Sequence, residues 1–181
     1  MRKKMLVFVD ESNVTGSARI KNKNLDWLFL RQEIVNAVPG ADLVEMVIYV
    51  GLPPSTEDLK SQRDSRERYV HWLRSNGFLV VTKNGSPKGG GAYKANVDVL
   101  MAIDSVELSL AIAPDIVVLV TGDGDFANLA TKLRRRGIHV YVCAIEETLG
   151  NLLRDACNDR IRMEDVLDQM DDFERRNDND N

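Results

Sequence analysis

Acidic residues stand at four separated places in this 181-residue chain, and three of the four are where an apolar run ends or a helix begins. They are Asp10 in Phe8-Val9-Asp10-Glu11-Ser12-Asn13, Asp98 in Asn96-Val97-Asp98, Asp104, and Asp123 with Asp125 in Thr121-Gly122-Asp123-Gly124-Asp125-Phe126. Gathered carboxylates repel one another and are costly to desolvate, so a fold that collects them calls for a cation among them. Hard oxygen donors without paired Cys or His favour Mg²⁺ or Mn²⁺ over zinc, which points to phosphate chemistry. Asn13 can orient the Asp10 carboxylate or contact a phosphate or water. The glycines of the 121–126 segment allow a tight turn and close backbone approach. That segment lacks the GKS/T of a Walker loop and does not read GxGxxG.

Other chemistries find less support. His71 and His139 stand apart, and Ser12, Ser86 and Ser105 have no evident His/Asp partner, which argues against a nucleophilic triad. Cys143 and Cys157 form no CxxC and suit a reducing cytoplasm better than a disulfide. Tyr93 and Lys94 adjoin the acidic residues, so Lys94 is the better phosphate-binding candidate. The Gly89-Gly90-Gly91 segment before it reads as a flexible lid, a basic clamp or a plain mobile loop. Arg134-Arg135-Arg136 close a helix, where cations complement the dipole in any case.

The elements that must position these residues alternate between strand and helix. Apolar or β-rich runs at 5–9, 43–50, 78–82, 115–121 and 138–144 read as strands. Helical patterns cover 25–38, 56–75, 96–111, 126–136 and 149–156, and 161–166 reads as a strand stub or packed turn. Alternation of this kind implies a parallel sheet with helices on both faces, with ligands at the carboxyl ends of the strands where strand order reverses. If the first and fourth strands are neighbours there, Asp10 and Asp123 face each other and Asp98 reaches the same crevice. Asp104 lies about 600° further round its helix and does not share a face with Asp98.

At 44% hydrophobic and 29% charged, the chain can bury a sizeable core. Its net charge of −4 argues against wholesale coating of nucleic acid but leaves room for local basic patches. The short apolar run after Arg2-Lys3-Lys4 is too brief for a signal peptide or a membrane span, so a cytoplasmic location is expected. Residues 1–167 read as one domain and 168–181 as an acidic, disordered tail.

These motifs together resemble the NYN domains of the LabA-like group, relatives of PIN-domain nucleases. The carriers are Val9 to Asn13, Lys94 to Val99 with Asp104, Thr121 to Phe126, Leu133 to Ile138, and Leu152 to Cys157. The resemblance spans about residues 5–165. It implies a three-layer α/β/α fold with a parallel sheet of order 3-2-1-4-5. It also implies an Mg²⁺- or Mn²⁺-dependent endoribonuclease, with Asp10, Asp98 and Asp123 as metal-binding acids and Asn13 and Asp125 in support. Two departures stand out: Glu11 and Ala95 occupy positions where the family often has Gly. The alternative reading is a noncatalytic regulator that binds RNA or a protein partner, because some members of the group are linked with regulation. A phosphohydrolase of small substrates is a third, without a DxDx[TV] motif to support it. A homodimer that completes a positive groove across two subunits is compatible with either leading reading.

Overall fold

The computed structural model describes residues 2–90 and 92–173. Its centre is β1 (Lys3–Asp10), whose residues from Met5 onward are all buried. A strand covered on both faces has no need of polar alternation, which is why 5–9 is continuously apolar. The chain then runs through α1 (Glu11–Ile20), α2 (Trp27–Asn36), β2 (Ala41–Leu52), α3 (Lys60–Ser75) and β3 (Leu79–Asn84). A short hairpin follows, β4 (Ser86–Gly89) with β5 (Ala92–Lys94). After it come α4 (Asp98–Ile112), β6 (Ile116–Val120), α5 (Ala127–Arg134), β7 (His139–Ala144), α6 (Asn151–Ala156), β8 (Asp159–Arg162) and α7 (Met163–Leu167).

The main sheet has the order β3-β2-β1-β6-β7-β8, and every neighbouring pair is parallel. Counting only the five strands expected from the sequence, this is the order 3-2-1-4-5, with β8 added at the edge. The chain winds outward from β1 to β3, then returns along α4 to lay β6 on the other side of β1. Strand order therefore reverses between β1 and β6, which is where a doubly wound sheet opens a crevice.

Side chains alternate across a strand, and this alternation decides which acid faces what. Met5, Val7 and Val9 pack beneath α1, α2 and α3 with Val14, Leu30, Ile34, Val70 and Leu73. Leu6 and Phe8 pack on the other face with Met101 of α4, Leu129 and Leu133 of α5 and Leu153 of α6. Two cores on opposite faces make the three-layer α/β/α arrangement. By the same parity Asp10 belongs to the α4 face, while Glu11, the first residue of α1, turns to Arg66 of α3.

Three local features differ from the sequence expectations. Residues 11–20 form a helix that the apolar pattern did not announce, capped by the Asp10 carboxylate, which accepts from the Asn13 backbone N–H. The glycine-rich 84–94 segment is an antiparallel hairpin instead of an open loop, tied down by Tyr93, whose hydroxyl donates to the Gly51 carbonyl at 3.4 Å. Residues 168–173, read as the start of the tail, include buried Met170, and Asp172 forms an antiparallel bridge with Lys23. The rest of that tail lies outside the described residues. No helix among the described residues is long and apolar enough to cross a membrane.

Candidate active site

Asp10 ends β1 with its side chain almost fully buried. One carboxylate oxygen accepts from the Ser12 hydroxyl at 2.8 Å and from the Asn13 N–H at 3.2 Å. The other accepts from the Thr121 hydroxyl at 3.5 Å. Thr121 follows the last residue of β6, so this contact crosses the switch point between neighbouring strands. The Thr121 hydroxyl oxygen also accepts from the Asp123 N–H at 3.2 Å. One hydroxyl thus links Asp10 to the backbone that carries Asp123.

The 121–126 segment folds as a 3-10 turn, Gly124–Phe126, with Asp123 as its cap: the Asp123 carboxylate accepts from the Asp125 N–H at 2.9 Å. The extended backbone at Asp123 gives the role to that residue and leaves Asp125 exposed in the first turn. The turn is held from two sides. The side-chain oxygen of Asn13 accepts from the Gly122 N–H at 3.0 Å, and the Gly122 carbonyl accepts from the Gly150 N–H at 2.8 Å. Asn13 therefore braces the turn with its side chain and reaches Asp10 only through its backbone.

Asp98 opens α4 on the same face of the sheet and is half-buried. Its carboxyl is held above the ordinary range, first by burial and then by the negative charges of Asp10, Asp123 and Asp125, with Lys94 pulling the other way. Asp10, Asp123 and Asp125 thus lie near enough to Asp98 to oppose its ionisation. Lys94, exposed on β5, is the cation beside them.

Asp104 is elsewhere: its carboxylate accepts from the hydroxyl of buried Tyr49 at 3.1 Å. Burial and the Asp104 charge push that phenol well above its usual value. Glu11 is also drawn away from the crevice. It is 1% exposed and forms a two-pronged pair with Arg66 of α3, at 3.1 and 2.5 Å. The other departure from the family pattern, Ala95, packs over Gly51, where an added Cβ would stand 2.8 Å from the Ala95 Cβ. Arg134, Arg135 and Arg136 lie beyond the amino end of β7, at the sheet edge opposite the acids, and Arg134 donates to the Ala156 carbonyl. His139 pairs there with Asp159.

The donor set of Asp10, Asp98 and Asp123 is all oxygen and suits a hard divalent cation. Such a charge would relieve the repulsion felt by Asp98. As the chain is arranged, no three Asp, Glu, His or Cys side chains among the described residues stand close enough to form a ready ligand shell.

Sequence reasoning missed the parts that act through others. Ser12 and Thr121 orient Asp10, and Arg66 neutralises Glu11. No local sequence signal marks Thr121 or Arg66, which reach Asp10 and Glu11 from 111 and 55 residues away.

A curated relative, the low amplitude and bright protein LabA of Synechococcus elongatus, is 28% identical over 181 residues, covering 95% of this chain and 90% of its own. A solved Vibrio parahaemolyticus protein of unknown function is 26% identical, with a TM-score of 0.69, covering 92% of this chain and 96% of that one. T5 5′-exonuclease with bound zinc is 17% identical over 76% of this chain and 55% of that one, and its TM-score of 0.44 is too low to build on. The model of the NYN domain matches residues 4–164, from the start of β1 to just past β8. A match of that extent takes in the switch point and every acid around it, and this chain belongs to the NYN domain family.

Proposed function

We propose that this chain is an Mg²⁺- or Mn²⁺-dependent ribonuclease that cleaves RNA phosphodiester bonds, acting as an endoribonuclease, in a reducing cytoplasm. The observation that carries the proposal is the Thr121 bridge, which sets Asp10 beside the Asp123 backbone at the β1–β6 switch point. Asp10, Asp98 and Asp123 would hold the cation. When bound, a divalent ion there supplies charge neutralisation at the scissile phosphate and acidifies a water. Ser12 and Thr121 keep the Asp10 oxygens aimed, and Asn13 keeps the Gly122–Asp123 turn in place. Asp125, which is exposed, would orient the attacking water. Lys94 offers a point charge for the substrate phosphates.

One observation favours the alternative, a regulator that binds RNA or a protein partner without cleaving: the acids among the described residues do not already form a ligand shell. Metal binding separates the two readings, and Asp98 is the residue to watch. Its folded carboxyl is raised above the unfolded value of 3.8, so the native state holds that proton more tightly. Stability contributed by Asp98 therefore falls as pH rises from the unfolded value through the folded one, and the full cost is present at neutral pH. In chelator, Asp98→Asn is expected to raise Tm by roughly 1–3 °C, a modest gain because the group is only half-buried. Mn²⁺ is expected to raise the Tm of the parent in proportion to its occupancy, and that of the Asp98→Asn variant far less. A parent Tm unmoved by millimolar Mn²⁺ or Mg²⁺ would turn the reading to the regulator.

A further inference from the structure

A groove of about 630 Å³ lies between α1 and α3. That is within the size range of small-ligand sites, roughly 300–1,000 Å³. Ser12 joins it to Asp10, since it lines the groove and donates to that carboxylate at 2.8 Å. One wall is the outer face of α1, where Ser12, Thr15, Gly16 and Arg19 follow at helical spacing, and Glu11, paired with Arg66, also lines the groove. Gln62, Ser65 and Arg66 of α3 form the other. Tyr93 closes the end, its ring fixed against Gly85.

Gly16 is the informative residue. It sits mid-helix, where glycine is less favourable than alanine. A Cβ built there meets nothing within 4 Å, and its φ is not positive. Neither packing nor backbone conformation asks for glycine at this position. What its missing side chain does provide is a bare floor in the groove.

The chemistry of the walls narrows the occupant. The cationic fork of Arg66 is already spent on Glu11 and stacks over the Tyr69 ring, 5.1 Å from its centroid. It acts as a flat wall more than an anion clamp. Gln62 and Ser65 supply neutral donors and acceptors of the kind that read a base edge, and the Thr15 hydroxyl, which donates to the Glu11 and Ser12 carbonyls, can accept. Arg19 stands exposed at the far end. α3 carries five cationic side chains against two acidic ones in a chain of net charge −4. A bare backbone floor, neutral readers and a cationic flank suit one nucleoside of a single strand, and a base locked in a duplex could not enter.

We propose that this groove receives one unpaired nucleoside adjoining the scissile phosphate, its base over Gly16, its edge read by Gln62 with Thr15 and Ser65, and the next phosphate near Arg19. The inference rests on the ribonuclease reading. The test is Gly16→Leu, which fills the floor without meeting a neighbour at its Cβ and favours the helix. Binding is read by fluorescence anisotropy with a labelled single-stranded RNA octamer in Mg²⁺, on an Asp123→Asn background that slows cleavage. Cleavage kinetics are read with Asp123 intact. Binding at least about tenfold weaker, KM raised similarly, kcat largely kept and the thermal transition retained are expected. Gln62→Ala should change the ranking of homopolymeric octamers. Parental affinity and KM in Gly16→Leu would overturn the groove while leaving the nuclease reading intact. Weakened binding by Gly16→Leu in a parent that cleaves no RNA would keep the groove and remove the nuclease. A parent that neither binds nor cleaves the octamer would overturn both.

Discussion

Arg66→Ala is expected to destabilise the protein by about 2–4 kcal/mol. Glu11 is almost wholly inside, and Arg66 supplies both hydrogen bonds that its carboxylate makes to α3. Removing the guanidinium leaves a buried charge without compensation, whereas removing both charges does not. Arg66 is itself partly exposed, which keeps the figure below the upper end for buried pairs. Burial works to lower the Arg66 proton affinity, yet the hydrogen bond and charge of Glu11 outweigh it and raise it. Urea unfolding should therefore show a large loss for Arg66→Ala and a much smaller one for Glu11→Gln combined with Arg66→Met. Equal losses in the single and double variants would mean that the pair contributes packing only. The pair also draws Glu11 away from the Asp10 side of the sheet.

Gly122→Ala is expected to damage both stability and chemistry. A Cβ on residue 122 would stand 2.3 Å from the Thr148 carbonyl oxygen and 2.7 Å from its carbon. These are backbone atoms, so the turn and the 148–150 segment must separate. That movement strains the Gly150 N–H bond to the Gly122 carbonyl and the Gly122 N–H bond to Asn13. Overpacking of this kind costs about 1–3 kcal/mol. Asp123 is the next residue, and a displacement of about 1 Å in a positioned group costs on the order of 100-fold in rate. Gly124→Ala is the control, since a Cβ there meets nothing within 4 Å. Unfolding curves and metal-dependent RNA cleavage should separate the two variants. Similar behaviour would show that the turn tolerates movement.

Much of the fold could be read from periodicity, because its strands are short apolar runs bounded by acids, Gly or Pro. The five expected strands and the face-to-face placement of Asp10 and the 121–126 turn follow from that pattern. α1 escaped notice because its apolar face is only Val14 and Ala18 with buried Ser17, too sparse to show a helical stripe. β8 is four residues long and polar at both ends, the weakest strand signal in the chain. At the site, residue type marked the acids, but their burial partners come from distant segments. Nothing local in Glu11 announces Arg66, 55 residues away, and nothing in Asp104 announces Tyr49. The groove depends on two helix faces brought together by the sheet, so Gly16 reads from sequence only as an indifferent helix residue.

The most direct test of the acidic site is cleavage of a mixed single-stranded and structured RNA pool by the folded parent beside an Asp10→Asn/Asp123→Asn double variant, each with Mn²⁺, Mg²⁺ or chelator. Cleavage that requires the metal and falls by at least about 100-fold in the variant is the expected result, since even outer partners of a metal ligand cost 10–100-fold. Cleavage that survives chelator or the double substitution, or a folded parent inert with both metals, would contradict the account.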